Sequence, residues 1–264
     1  MLQFYHSTFY SFIRKQLEQY RNIKLIEEIR RYPVPKHIAI IMDGNRRFAK
    51  TVGIHPKNGH FFGRDKIEET LNWCLELGIK NLTLYAFSTE NFKRAPEEIA
   101  GLMNICDQEL KKALKDSTIH KNQVRIRVIG NIGALPKNIQ KQAKQLINET
   151  KKYRKHTLTI ALAYGGRQEI MQAIINIAKD VKNGTISVDD IDEQKVSSYL
   201  YTKGIPDPDL ILRTSGEERI SNFLLWQMAY AEFYFSDVYW PAFRKRDFLK
   251  AIRTYQRRKR RYGT

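Results

Sequence analysis

Between residues 36 and 214 the chain alternates short, almost purely apolar runs with longer segments whose apolar side chains recur every three or four positions. The runs are 38–42, 81–87, 124–130, 157–163 and 209–214. Runs of this length predict strands buried on both faces, because such a strand has no solvent side to fill with polar residues. The longer segments predict helices. In 96–114, Ile99, Leu102, Met103, Cys106 and Leu110 share one face, and Pro96 followed by Glu97 and Glu98 is a suitable helix start. Segments 136–152 and 166–182 read the same way. Strands alternating with helices at this spacing predict a single α/β domain with a mostly parallel central sheet flanked by helices.

Residues 9–31 carry a different pattern. Phe9, Phe12, Ile13, Leu17, Tyr20, Ile23, Leu25, Ile26 and Ile29 fall at helical spacing with basic residues between them, and "YPVP" at 32–35 ends the segment. The chain therefore divides into an amphipathic helical extension, 1–35, and an α/β domain, 36–264. The apolar face of the extension has two readings: packing on the protein's own core or on a second subunit, or lying on a membrane surface.

Three of the strands run directly into polar clusters. Strand 38–42 leads into Asp43, Gly44, Asn45, Arg46 and Arg47. Strand 81–87 leads into Ser88, Thr89, Glu90, Asn91, Phe92, Lys93 and Arg94, and strand 209–212 into Arg213, Thr214, Ser215, Gly216, Glu217, Glu218 and Arg219. Ligands of open parallel sheets bind beyond the carboxyl ends of the strands, where these clusters stand. Arginines beside small hydroxyl residues and glycine suit phosphate, because a guanidinium donates two parallel hydrogen bonds to phosphate oxygens. Carboxylates among the arginines weaken anion binding unless they hold a cation. Asp43, Glu90, Glu218 and Glu232 are thus candidates for Mg²⁺, which takes one or two carboxylates plus phosphate oxygens and water.

Composition narrows the choice. The chain has 264 residues, 42% of them hydrophobic, enough for a large core. No apolar stretch approaches a membrane span, and the first residues lack a secretory pattern. Cys74 and Cys106 are too few for a disulfide framework and stand in apolar segments, so free thiols in a reducing cytoplasm are expected. The net charge of +18 points to an anionic partner: nucleic acid, lipid headgroups or phosphorylated substrates. Residues 244–261 alone hold ten Lys or Arg and one Asp. Nucleotide readings fail, since no GxxxxGK[ST] is present and no GxGxxG follows the first strand. The composition suits a Mg²⁺-diphosphate site with no nucleoside fingerprint, without by itself choosing among the anionic partners.

The blocks "HIAIIMDGNRRFAK" (37–50), "GH" (59–60), "LTLYAFSTENFKR" (82–94), "AYGGRQEI" (163–170) and "DLILRTSGEERISNFLLWQMAYAEFYFSDVYWP" (209–241) resemble those of cis-prenyltransferases, in order, from about residue 36 to the C-terminus. The resemblance implies a cytoplasmic homodimer that adds isopentenyl diphosphate to an allylic prenyl diphosphate with Mg²⁺. It implies Asp43 as the aspartate that helps the allylic diphosphate depart, and Gly44, Asn45, Arg46 and Arg47 as its cradle, with Phe48 beside the chain. His60 matches a phosphate-binding histidine. Arg213, Arg219, Ile220 and Ser221 match the isopentenyl diphosphate site, and Glu232 the carboxylate that completes the Mg²⁺ site with Asp43. Ser88, Thr89, Glu90, Asn91, Phe92 and Arg94 match the mobile loop, in which Asn91 is tied to proton removal. Helix 96–114 and strands 81–87 and 157–163 are expected either to line a tunnel for the growing chain or to form ordinary core.

Some positions depart from the bacterial pattern. Glu218 stands where a metal-contacting histidine occurs, and is expected to bind Mg²⁺ or to pair with Arg219. Pro56 replaces a phosphate-contacting arginine, with Lys57 as a substitute. Arg261 and Gly263 match a tail that reaches across the dimer. A non-catalytic partner subunit would have lost Asp43 and the Asn-Arg loop, which this chain keeps. A nucleic-acid binder would show basic residues interleaved with stacking aromatics, so no nucleic-acid partner is expected. Irregular condensation, or transfer to another acceptor, stays open with the same loops.

Overall fold

The computed structural model describes residues 2–258, with side chains from residue 13 onward except 14, 15 and 57. Six strands, β1 (His37–Ile41), β2 (Asn81–Ser88), β3 (Val124–Ile129), β4 (His156–Tyr164), β5 (Leu210–Arg213) and β6 (Glu232–Phe235), form one sheet in the order β3-β4-β2-β1-β5-β6. Every pairing is parallel. The helices are α1 (Leu2–Ile29), α2 (Asn45–Thr51), α3 (Gly59–Gly63), α4 (Asp65–Leu77) and α5 (Pro96–Leu114), followed by α6 (Ser117–Lys121), α7 (Lys137–Thr150), α8 (Gly166–Lys182), α9 (Glu193–Tyr199) and α10 (Lys245–Arg257).

Both faces of the sheet are covered, which accounts for the unbroken apolar runs. In β1, Ile38 and Ile40 join a core with Leu71, Leu84, Leu146 and Phe248, whereas Ala39 and Ile41 face a second core with Tyr85, Ile211 and Phe223. The five expected strands all form. β6 has no counterpart among them: "EFYF" is four half-buried residues at the sheet edge, too short and too mixed to stand out as an apolar run.

α1 begins earlier than the sequence pattern suggests and splits its apolar stripe in two. Ile26 and Ile29 are buried, and Gln256 of α10 donates to the carbonyls of Ile29 (2.9 Å) and Tyr32 (3.0 Å), closing the end of the helix. Ile13, Leu17, Tyr20 and Ile23, one face further back, are 38–56% exposed. Among the described side chains of α1, packing on the protein's own core holds at Leu25, Ile26 and Ile29. Among the described residues no helix is long and apolar enough to cross a membrane.

Candidate active site

The strand order brings the first and third polar clusters together. β1 lies between β2 and β5, with Ile41 opposite Arg213, so the loops after β1 and β5 leave the same edge side by side. The chain runs from β1 to one side of the sheet and returns on the other, which opens a crevice at that edge. Asp43 stands there. Its Oδ2 accepts from Arg213 Nη2 (2.7 Å), and its Oδ1 accepts from the Gly44 N–H (2.6 Å) with Arg47 Nη2 at 3.3 Å. Burial alone would raise its pKa. The Arg213 hydrogen bond and charge, the Gly44 N–H and Arg47 outweigh it, so the carboxyl lies below its ordinary range.

Gly44 has φ +99°, and a Cβ there would stand 2.7 Å from Tyr239 and 2.8 Å from Ser215. The turn into α2 needs glycine on both counts. Thr214 stitches the two loops, accepting from the Asp43 N–H (2.9 Å) and donating to the Asp43 carbonyl (2.7 Å). Arg213 is 4% exposed at its side chain and gives Nη1 to Ser221 Oγ (2.9 Å) and to the Arg219 carbonyl. Arg47 donates to Ser215 Oγ (2.7 Å) and Glu217 Oε1 (2.5 Å), and Arg219 pairs with the same carboxylate.

The remaining wall comes from α3, the loop after β2 and the start of α5. Trp240, 1% exposed, donates its indole N–H to the Gly63 carbonyl (2.8 Å) and so presses α3 against the sheet end. That sets His60 beside Glu98, whose Oε1 accepts from Arg94 (2.8 Å) and whose Oε2 lies 3.7 Å from Arg46. Burial, with Arg94 and Arg46 against a smaller pull from Glu98, lowers the His60 pKa to about 4. At neutral pH His60 is an uncharged donor or acceptor. Asn91 Oδ1 accepts from the Ser88 N–H (3.0 Å), folding residues 89–93 into one tight turn.

Behind this mouth lies a cavity of about 720 Å³. Asp43, Asn45, His60 and Arg213 open onto it, as do Arg219 and Ser221 from the loop after β5 and Ser88, Glu90, Asn91 and Arg94 from the loop after β2. Gly44, Arg46 and Arg47 line an adjoining recess of about 450 Å³. Deeper in, the wall is Ala86, Leu102, Met103, Leu110, Leu158, Ile160 and Leu162. Part of β2, β4 and α5 therefore lines a bore, and the rest of their apolar side chains are core. Phe48, Thr89, Phe92 and Ile220 line neither space; Phe48 packs on Phe62 and Phe92 on Phe87.

Three buried polar atoms at the site lack a hydrogen-bond partner: Arg213 Nε, His60 Nε2 and Asn45 Oδ1. Buried polar groups are ordinarily paired, so this set fits an absent ligand. A guanidinium N–H suits an anion, whereas the Asn45 amide oxygen lies close against Gly63. The donor set is compatible with Mg²⁺ carried on a diphosphate.

Glu232 stands apart from Asp43 within one chain. It opens β6 opposite Leu210, three residues and about 10 Å toward the amino edge from the level of Arg213. Its carboxylate accepts from Arg258 (2.7 Å), so one chain does not bring it to Asp43. Among the described residues no cluster of three His, Cys, Asp or Glu could hold a metal. Glu218 is exposed, and Arg219 pairs with Glu217 instead. Nothing local separates two adjacent glutamates, so Glu217 escaped the sequence reading, as did Glu98, whose place in a helix start hid it. The Lys57 side chain, Arg261 and Gly263 lie outside the described residues.

The family model for undecaprenyl diphosphate synthases matches residues 41–263. Among curated proteins, a tritrans,polycis-undecaprenyl-diphosphate synthase (geranylgeranyl-diphosphate specific) of Thermoplasma acidophilum is 53% identical over 92% of this chain and 94% of its own length. The protein of the same name from Thermococcus kodakarensis is 51% identical over 90% of each. The solved lavandulyl diphosphate synthase of Lavandula x intermedia, in complex with dimethylallyl diphosphate, superposes with a TM-score of 0.84 at 35% identity, covering 88% of this chain and 99% of that one. The chain belongs to the undecaprenyl diphosphate synthase family and is a cis-prenyltransferase.

Proposed function

We propose that the protein condenses isopentenyl diphosphate with an allylic prenyl diphosphate, in a Mg²⁺-dependent reaction, to give a long Z-polyprenyl diphosphate of the lipid-carrier type. The observation that carries this reading is the cavity of about 720 Å³, polar at Asp43 and Arg213 and apolar behind them. Such a space holds a diphosphate head at one end and a hydrocarbon chain in the bore. The archaeal relatives' names further support geranylgeranyl diphosphate as the primer and an undecaprenyl product.

Arg47 holds the departing diphosphate, exchanging its present carboxylate and hydroxyl partners for the diphosphate oxygens as charge develops there, and Arg213 faces the isopentenyl diphosphate. Asp43 would hold Mg²⁺, which when bound would supply further stabilisation of that leaving group. Neutral His60 donates one more hydrogen bond. Arg219 and Ser221 hold the isopentenyl diphosphate. Asn91 orients the proton acceptor and does not itself act as the base, since an amide is too weakly basic and its oxygen is engaged by the Ser88 N–H. The apolar bore excludes water from the allylic cation.

A second copy of the chain is the partner we infer. The outward apolar residues Met171, Ile174 and Ile175 of α8, 42–55% exposed, support it. The outward stripe of α1 supports peripheral contact with a membrane surface. Incubation with Mg²⁺, labelled isopentenyl diphosphate and allylic primers of increasing length, followed by sizing of the products, tests the main reading. Long products from the geranylgeranyl primer are expected. Single irregular condensation products would favour the second reading, which the likeness to lavandulyl diphosphate synthase supports.

A further inference from the structure

Three loops from distant parts of the chain meet at one amide. Asn222 follows Ser221 in the loop after β5, and both have positive φ, +62° and +49°. Asparagine tolerates that region better than most side chains. The Asn222 carbonyl accepts from the Gly166 N–H (2.7 Å), and its Oδ1 accepts from the Arg167 N–H (2.8 Å). These are donors that the first turn of α8 cannot satisfy within the helix. The Nδ2 of the same side chain donates to Gln168 Oε1 (3.1 Å) and to Glu90 Oε1 (2.9 Å) in the loop after β2.

Gly165 is what lets the loops close. A Cβ there would stand 2.2 Å from Gln168 Oε1, and 2.7 Å from both Asn222 Nδ2 and Thr89 Oγ1. Either side of this junction lies a part of the site. Ser221 Oγ accepts from Arg213, which holds Asp43. Glu90 neighbours Asn91, whose amide shapes the turn after β2. Burial opposes the Glu90 charge, yet the bond from Asn222, with help from its neighbours, keeps that carboxyl below its ordinary range.

We propose that Asn222 is a positioning residue: through its hydrogen bond to Glu90 it couples the diphosphate cradle at Arg213 and Ser221 to the placement of the 88–94 loop over the cavity. The consequence for turnover rests on the prenyltransferase reading; the placement of the loop does not.

Asn222→Asp separates the two roles of the side chain. A carboxylate still accepts from the Arg167 N–H and suits a helix start. It cannot donate to Glu90, and it sets two carboxylates face to face. Limited trypsin cleavage after Lys93 and Arg94 reads the loop without any substrate. Cleavage is expected to be several-fold faster in the variant than in the wild type, at an unchanged unfolding midpoint. In the Glu90→Gln background the new amide can donate to the new carboxylate, so the double variant should regain protection. Inorganic diphosphate with Mg²⁺ should slow cleavage in the wild type and do so less in Asn222→Asp. In turnover, kcat should fall by up to roughly 10²-fold, the scale of a small misplacement of a positioned group, with the KM for the allylic primer little changed. Glu90→Ala cuts the same bond from the other side, so it carries the proteolysis test if Asn222→Asp does not fold. Wild-type cleavage rates in both variants, or diphosphate protection as strong as in the wild type, would overturn the proposal. An inactive wild type with a sensitive loop in the variants would sink the prenyltransferase reading and leave this one standing.

Discussion

The mouth of the cavity and its bore discriminate by different physics. At the mouth five arginines (Arg46, Arg47, Arg94, Arg213 and Arg219) share three carboxylates, Asp43, Glu98 and Glu217. The surplus is positive, and the cations are already held in place. A diphosphate therefore exchanges partners within an ordered network and has little reorganisation to drive. The bore offers no such partners along Leu102, Leu158, Ile160 and Leu162, so what it selects is volume. Its charges gather at one seam between α4 and α5, where Lys112 meets Glu68 at 2.8 Å and burial pushes the Glu109 carboxyl up. Charge should govern rate at the mouth, and size should govern product length in the bore.

The largest expected effect tests the mouth. Asp43→Asn keeps the shape and removes the charge, and turnover should fall by ~10²–10³-fold, the scale for deleting a main electrostatic group at a reacting centre. Steady-state kinetics beside a thermal melt checks it; near-wild-type turnover would remove Asp43 from its role. Arg213→Lys comes next. A lysine keeps the charge and loses the fork that reaches Asp43, Ser221 and the Arg219 carbonyl together. A loss of about 2–3 kcal/mol in stability is expected by denaturant titration, from charged hydrogen bonds worth ~1.5–3 kcal/mol each. The same substitution should raise the KM for isopentenyl diphosphate.

Ala86→Leu moves the test into the bore. It narrows the wall below the mouth, so the first addition should run at the wild-type rate while the products become shorter. Equal slowing of every addition would mean that Ala86 belongs functionally to the mouth.

His60 gives a pH test. Its folded pKa of about 4 lies below the unfolded value, so between those two values the unfolded chain binds more protons and stability falls as pH falls. By pH 5 the loss attributable to His60 should reach about 2 kcal/mol relative to pH 7. His60→Gln should remove that share of the slope in melts across the range. The smallest effect is expected at the seam. Glu68 and Lys112 are 43% and 52% exposed, so Glu68→Ala should cost no more than ~1 kcal/mol, fading with added salt.

Much of this site was legible along the chain because its local chemistry is contiguous. Asp43, Asn45, Arg46 and Arg47 follow an apolar run, and a strand ending in such a cluster signals a ligand edge. The run of Ser88, Glu90, Asn91 and Arg94 after β2 reads in the same way. The misses share a different cause. Glu98 and Glu217 pair with the near neighbours Arg94 and Arg219, but what brings them into the site is reaching Arg46 and Arg47, 52 and 170 residues away. β6 is recognisable by its pairing with β5 more than by its four residues.

By itself the sequence determined the parallel α/β architecture, the five long-run strands and the loops that carry the diphosphate chemistry, since periodicity and strand-end clusters are local properties. Tertiary structure alone decided which of those loops meet. It set β5 beside β1, so Arg213 reached Asp43. It laid β6 parallel to β5, so Glu232 fell at the opposite edge with Arg258. It also chose Glu217 over Glu218, and joined Asn222 to Glu90. The physical reason is that strand order follows from burying both faces of the sheet at once, a property of the whole core that no stretch of the chain carries alone.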